Sequence, residues 1–104
     1  MRANPWSGYQ SMPYELGFVE AALKEWHKLD GAVREAFKRK LVERLEQPRV
    51  PSARLHGQAD RYKIKLRDAG YRLVYEVRDT EVLVLVVAVG RRDRNAVYRA
   101  ANRR

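Results

Sequence analysis

Cysteine is absent from this 104-residue chain. That excludes a disulfide framework and a thiolate zinc site, and fits a reducing compartment. Histidine is scarce, with only His27 and His56. His27 lies beside Trp26 in a charged helical stretch and reads as a plain surface residue. No HExxH, GxGxxG or P-loop pattern occurs. No acidic cluster could hold a metal pair, and no Ser-His-Asp arrangement suggests itself. The expectation is therefore no metal and no cofactor. Long apolar runs are also missing: the longest, VLVLVVAV at 82–89, is too short to cross a bilayer. The N-terminus lacks the apolar core of a signal peptide. A soluble intracellular protein with no membrane partner is expected.

Acidic residues are in short supply. Lys and Arg total 22 against 13 Asp and Glu, a net charge of +9 with pI ≈ 10.3. A small domain with that excess attracts polyanions, nucleic acid first and acidic protein second. The excess is unevenly placed. Residues 18–47 hold seven basic and six acidic groups, residues 60–78 six and three, and residues 91–104 six and one. The positive field belongs to the C-terminal half.

The length suits one domain, and 45% hydrophobic residues are enough to fold it. Residues 1–12, MRANPWSGYQSM, show no period and read as a flexible extension ahead of a single domain at 13–104. YELGFV at 14–19 alternates as a short strand. Residues 20–29 turn to helical spacing, with Ala22, Leu23, Trp26 and Leu29 on one face. Asp30-Gly31 breaks the chain, and 32–46 form a second helix through Val33, Phe37, Leu41 and Leu45. A helical hairpin results. Pro48 and Pro51 mark the loop that follows.

Strands are predicted at 61–67, 71–78 and 81–90, joined by short hairpin connections. In RYKIKLRDAGYRLVYEV, residues 61–77, aligning the apolar faces pairs Tyr62, Ile64 and Leu66 with Tyr75, Leu73 and Tyr71. A slip of one residue would turn every apolar side chain outward. This register sets Lys65 opposite Arg72 and Lys63 opposite Val74 on the other face. Like charges so placed cost a hairpin roughly 0.2–1 kcal/mol, which a purely structural strand pair has little reason to keep. Strand 81–90 is nearly all apolar and is expected at the centre of the sheet, covered on both faces. NAVYRAANRR, residues 95–104, can form a short helix with Val97 and Tyr98 as its large apolar residues. Its docking is expected to be weak.

The candidate chemistry lies in Lys63, Lys65, Arg72, Arg91, Arg92, Arg94 and Tyr98. Three readings stand side by side: a solvated basic face, a phosphate-binding surface and a metal-free ribonuclease. In the last, a ribose 2′-OH attacks the adjacent phosphate. That step needs a base, positive charge on the phosphoryl oxygens and help for the leaving 5′-oxygen. Lysines crowded by cations have lowered pKa values and can serve as bases. Arginine forks match phosphate oxygens and stay charged.

From Tyr14 to Tyr98 the chain closely resembles the RelE toxin family of bacterial toxin–antitoxin modules. The resemblance is carried by ALKEWHKLD at 22–30, VRE at 33–35, KRKLVERLEQPRV at 38–50, YKIKLRDAGYRLVYEV at 62–77 and VGRRDRNAVY at 89–98. It implies an α+β fold: a small antiparallel sheet with the N-terminal helical hairpin packed on it and a short C-terminal helix, the RelE-like microbial RNase fold. It also implies a cytoplasmic messenger-RNA interferase that enters the ribosomal A site and cleaves by 2′-OH attack without metal. The implied partners are ribosome, mRNA and a RelB-type antitoxin that silences the toxin and displaces the C-terminal helix. DNA is reached only through the antitoxin complex.

Carried over residue by residue, the resemblance makes Lys63 and Lys65 candidates for general base and phosphate positioning. It makes Arg72 a stabiliser of the transition-state phosphate, Arg92 an aid to the leaving group, and Tyr98 a stacking platform for a base. His56, Arg61, Arg67, Arg91 and Arg94 are candidate RNA or ribosome contacts. Two positions depart from the family habit: His56 stands where arginine is common, and Arg91 where lysine is. The first eleven residues have no counterpart, so Met12 is the expected natural start. Two other functions remain in view, a ParE-like gyrase inhibitor acting by binding and a non-catalytic RNA-binding domain. The full set of Lys63, Lys65, Arg72, Arg92 and Tyr98 argues against the gyrase reading.

Overall fold

The computed structural model describes residues 13–57, 59–93 and 95–104. The expected extension at 1–12 and the candidate contact Arg94 lie outside the described residues. The chain runs β1 (Glu15–Phe18), α1 (Glu20–His27), α2 (Gly31–Glu46), a 3-10 turn at Pro51–Ala53, β2 (Arg61–Leu66), β3 (Tyr71–Arg78), a second 3-10 turn at Asp79–Glu81, β4 (Leu83–Arg91) and α3 (Ala96–Asn102). The fold is α+β.

Among the described residues four strands form one sheet in the order β1-β4-β3-β2. The β2–β3 and β3–β4 pairs are antiparallel, but β1 runs parallel to β4, from Glu15 opposite Leu83 to Phe18 opposite Val86. The sheet is thus mixed, not wholly antiparallel as expected. The alternation in YELGFV marks a strand but cannot say which neighbour it takes or in which direction. The β2–β3 register is the one the apolar faces demanded, with Lys65 opposite Arg72 and Lys63 opposite Val74. The connection spans residues 67–70 and ends on Gly70, whose φ of 73° is cheap for glycine.

Both faces of the sheet are covered, as the apolar run of β4 required. On one face α1 and α2 bury Trp26, Phe37, Leu41 and Leu45 against Phe18, Ile64, Tyr75 and Val86. Ring contacts link Phe18 to Trp26 at 5.4 Å and Trp26 to Phe37 at 6.4 Å. Full burial of side chains this size is worth about 1.5–3 kcal/mol each, so this layer holds the domain together. On the other face Val74, Val87 and Ala88 meet Val97 and Ala101 of α3. A bulge lets β4 serve both: Val74 faces Ala88 while Tyr75 faces Val86, leaving Val87 unmatched.

The outer edge of β2 is not left open. Arg54 bridges to Tyr62, and the Leu55 amide donates to the Arg61 carbonyl at 2.9 Å, which blunts an edge otherwise prone to foreign pairing. At the end of β3 remote from Arg72, Arg49 binds both Asp60 and Asp79, at 2.7 and 2.9 Å. The Tyr14 hydroxyl also donates to Asp79. Arg49, then Tyr14, hold the Asp79 carboxyl below the usual carboxylate range.

Candidate active site

The site begins with strand geometry. Side chains alternate across a sheet, so Lys63 and Lys65 point to the face that carries α3, together with Arg72 and Val74. Neighbouring Gly90 lies opposite Arg72 on β4. A Cβ there would sit 3.6 Å from a Val97 methyl, so α3 packs close upon bare backbone.

A cleft of about 120 Å³ opens at this point. Its walls include Lys65, Arg72, Arg91, Arg92, Asp93 and Tyr98. Three loops and ends converge to make it. Arg92 donates its backbone amide to the Gly70 carbonyl at 2.7 Å, clamping the end of β4 to the β2–β3 loop. Asn95, at φ 61°, turns the chain into α3, and the Ala96 amide bonds to the Asp93 carbonyl. Asparagine tolerates that left-handed conformation better than most residues.

Among the described residues Arg72 is the charged one driven deepest, 7% exposed. Its guanidinium donates to the Tyr71 carbonyl at 3.1 Å, and no carboxylate among the described residues pairs with it. No buried side-chain polar atom among the described residues lacks a partner, so its remaining donors open on the cleft. A half-desolvated guanidinium without a counter-charge is a strong anion site. Lys65 stands across from it. The Lys63 charge foremost, with partial burial and the charges of Arg72, Arg67 and Arg92, lowers the Lys65 pKa from the ordinary lysine value. Arg91 stacks over the Tyr71 ring at 5.6 Å, and Tyr98 projects from α3 into the cleft.

The structure therefore gathers Lys65, Arg72, Arg91, Arg92 and Tyr98 in one place. Lys63 lines the adjoining groove with Arg44, Ser52, Lys65 and Arg67. Lys65 separates the two. Arg61 is engaged elsewhere: it pairs with Glu76 at 3.0 Å and donates to the Ala101 carbonyl at 2.6 Å. Burial pushes the Glu76 carboxyl up, but hydrogen bonds from Arg78 and Arg61 outweigh it and hold it low. His56 is exposed in the loop before β2 and lines neither hollow. Sequence reasoning passed over Asp93 and Asn95, both in the cleft wall. Asn95 could have been noticed as a helix-entry signal. Asp93, the sole carboxylate among the lining residues, carries no such mark. Among the described residues no three metal-ligating side chains group together, and no helix is long and apolar enough to cross a membrane.

A mixed sheet covered on both faces, with a buried arginine facing a lysine across a cationic cleft, defines a small α+β protein whose cleft suits an anion. Comparison with known proteins narrows that class. Residues 17–96 match the family of the ParE toxin of the type II toxin-antitoxin system parDE. The mRNA interferase toxin RelE of Escherichia coli strain K12 is 56% identical over 93 residues, covering 89% of this chain and 98% of that protein. The crystal structure of the isolated E. coli RelE toxin superposes with a TM-score of 0.75 at 54% identity, covering 86% of this chain and 96% of that one. RelE in the intact E. coli RelBE toxin-antitoxin complex gives a TM-score of 0.74 at 57% identity, over 78% and 99%. An archaeal RelE from Pyrococcus horikoshii, at 21% identity and a TM-score of 0.62, shares the fold. The chain belongs to the RelE/ParE family of type II toxin–antitoxin toxins, on its RelE side.

Proposed function

We propose that this toxin is a ribosome-dependent endoribonuclease, an mRNA interferase that cleaves the message in the A site by 2′-OH attack on the adjacent phosphate. The placement of Lys65 opposite buried Arg72, in one cleft with Arg92 and Tyr98, carries the reading. Lys65, made less basic chiefly by the charge of Lys63, removes the 2′-OH proton. Lys63 holds the approaching backbone from the adjoining groove. Arg72 neutralises the phosphoryl oxygens as negative charge grows on them. Arg92 assists the departing 5′-oxygen, and Tyr98 stacks on a base to bring the sugar into line. Arg67 and Arg91 add phosphate contacts at the rim, with Arg94 and His56 as further RNA or ribosome contacts. Arg61 contributes by holding α3.

A RelB-type antitoxin silences the toxin, in keeping with the relative solved with RelB, and the complex works in the cytoplasm. DNA is contacted through the antitoxin. The toxin domain spans 13–104. Purified protein added to ribosomes on a defined message, with 5′ ends mapped, tests the assignment. Cuts within the A-site codon are expected. Intact message with inhibited gyrase supercoiling would replace it by the binding-toxin reading, and intact message with RNA retention by the non-catalytic one.

A further inference from the structure

The short helix that carries Tyr98 is fastened by charge as well as by apolar burial. It spans seven residues, of which Val97 and Ala101 are buried, with Tyr98 and Ala100 partly buried beside them, and a helix this short depends on its tertiary contacts to stay formed. Its far end is tied by polar contacts to elements on both faces of the sheet. Arg104 forms a two-pronged ion pair with Glu25 of α1, Nη1–Oε1 at 2.8 Å and Nη2–Oε2 at 3.0 Å. The same guanidinium donates to the Val87 carbonyl at 2.9 Å, and Glu25 accepts from the Val89 amide at 3.2 Å.

The place where this happens matters. α1 packs on one face of the sheet and α3 on the other. Pairing of β1 with β4 stops at Phe18 opposite Val86, so among the described residues no strand lies beside the edge of β4 beyond it. The Glu25–Arg104 pair sits across that gap and supplies the hydrogen bonds a further strand would give. Both side chains are partly shielded, at 31% and 23% exposure, which spares the pair some of the screening that weakens surface bridges. On the same helix end, Arg61, itself steadied by Glu76, holds the Ala101 carbonyl.

We propose that Glu25 and Arg104 are positioning residues for the cleavage site: their clasp around the open edge of β4 sets α3 in place and thereby fixes Tyr98 over Lys65 and Arg72. The proposal rests on the nuclease reading for its kinetic consequence but not for its structural one. Neither residue touches the cleft. Their effect passes through one short helix, and small misplacement of a reacting group costs rate more than affinity.

The test uses the full chain with Glu25→Gln, Arg104→Gln, the double variant, and Arg49→Gln as a control for a lost ion pair at the far end of β3. Amide hydrogen exchange across 98–101 is measured beside cleavage of ribosome-bound message. The two single variants are expected to speed exchange of these amides about tenfold and to lower the saturated cleavage rate about tenfold with KM little changed. The double variant should be no worse than either single one, as for groups that act as a unit. Arg49→Gln should leave both readouts as in the parent. Unchanged exchange in the single variants overturns the clasp. Faster exchange with an undiminished saturated rate, or a loss seen only in KM, overturns the positioning role. If the parent protein cleaves nothing on ribosomes, the nuclease assignment fails by itself, and the clasp is judged on exchange alone.

Discussion

Lys65 and Arg72 face each other directly across the β2–β3 ladder, one at the mouth of the cleft and the other 7% exposed within it. Two cations so placed repel, and neither has a carboxylate partner among the described residues. The strand pair is held in this register by Tyr62, Ile64, Leu73 and Tyr75 on the opposite face, where Tyr62 and Tyr75 stack at 5.6 Å. Apolar burial thus imposes a charge arrangement that electrostatics alone would undo. The repulsion is relieved when an anion enters.

Stability and activity should therefore move in opposite directions at Lys65. Lys65→Gln removes the repulsion and is expected to raise the unfolding free energy slightly while message cleavage falls sharply. Chemical denaturation and a ribosome cleavage assay on the same preparation check both halves. A less stable Lys65→Gln protein would show that the repulsion is already neutralised in the free toxin.

The lowered pKa of Lys65, caused first by the Lys63 charge, has a defined sign in the rate. Below that pKa the amine is protonated and cannot act as a base. Single-turnover cleavage should climb about tenfold per pH unit until the neutral form dominates. The plateau should come earlier than for an ordinary lysine. Lys63→Gln lifts the chief cause, so the profile should shift to higher pH. A profile that stays in place would move the base assignment away from Lys65.

Arg92 is exposed in the cleft wall while its backbone amide ties the β2–β3 loop. Arg92→Ala keeps that backbone bond and deletes only the guanidinium. Its turnover is expected to drop about a hundredfold or more, as for loss of one transition-state donor, with ribosome binding largely intact. Co-sedimentation with ribosomes and cleavage kinetics separate the two effects, and full cleavage by the variant would refute the role.

Val82 offers a test of the scaffold away from the site. It is β-branched, exposed, and held at φ 49° and ψ 52° in the connection to β4. Left-handed backbone costs such a residue about 1–2 kcal/mol. Val82→Gly should recover about 1 kcal/mol of that, read as a raised denaturation midpoint with cleavage unchanged. No gain would mean the strain is absorbed by the bond from the Glu15 amide to the Val82 carbonyl.

Much of this could be read before any coordinates. The spacing of Val33, Phe37, Leu41 and Leu45 marked α2, and the alternation in 61–77 marked β2, β3 and their register. Both signals are periodic burial, which sequence records residue by residue. The parallel placement of β1 was not legible, because a four-residue strand carries no record of its partner. The connection before β4 was expected to be two residues, Asp79-Thr80. Instead a 3-10 turn and left-handed Val82 occupy it, an arrangement valine hides because its preferences lie elsewhere. The attachment of α3 was underrated for a like reason. Counting its apolar residues could not reveal Arg104 reaching Glu25 across 79 positions.

Sequence alone was enough to establish a basic, single-domain-sized α+β chain with a cationic strand pair, since charge count and local periodicity need no knowledge of what lies far along the chain. Tertiary structure decided which cations share a cleft. It brought Arg92 and Tyr98 to Lys65 and Arg72, left Lys63 in the adjoining groove, and drew Arg61 away to hold α3. Those outcomes depend on contacts between residues distant in sequence, where packing and desolvation act and local pattern is silent.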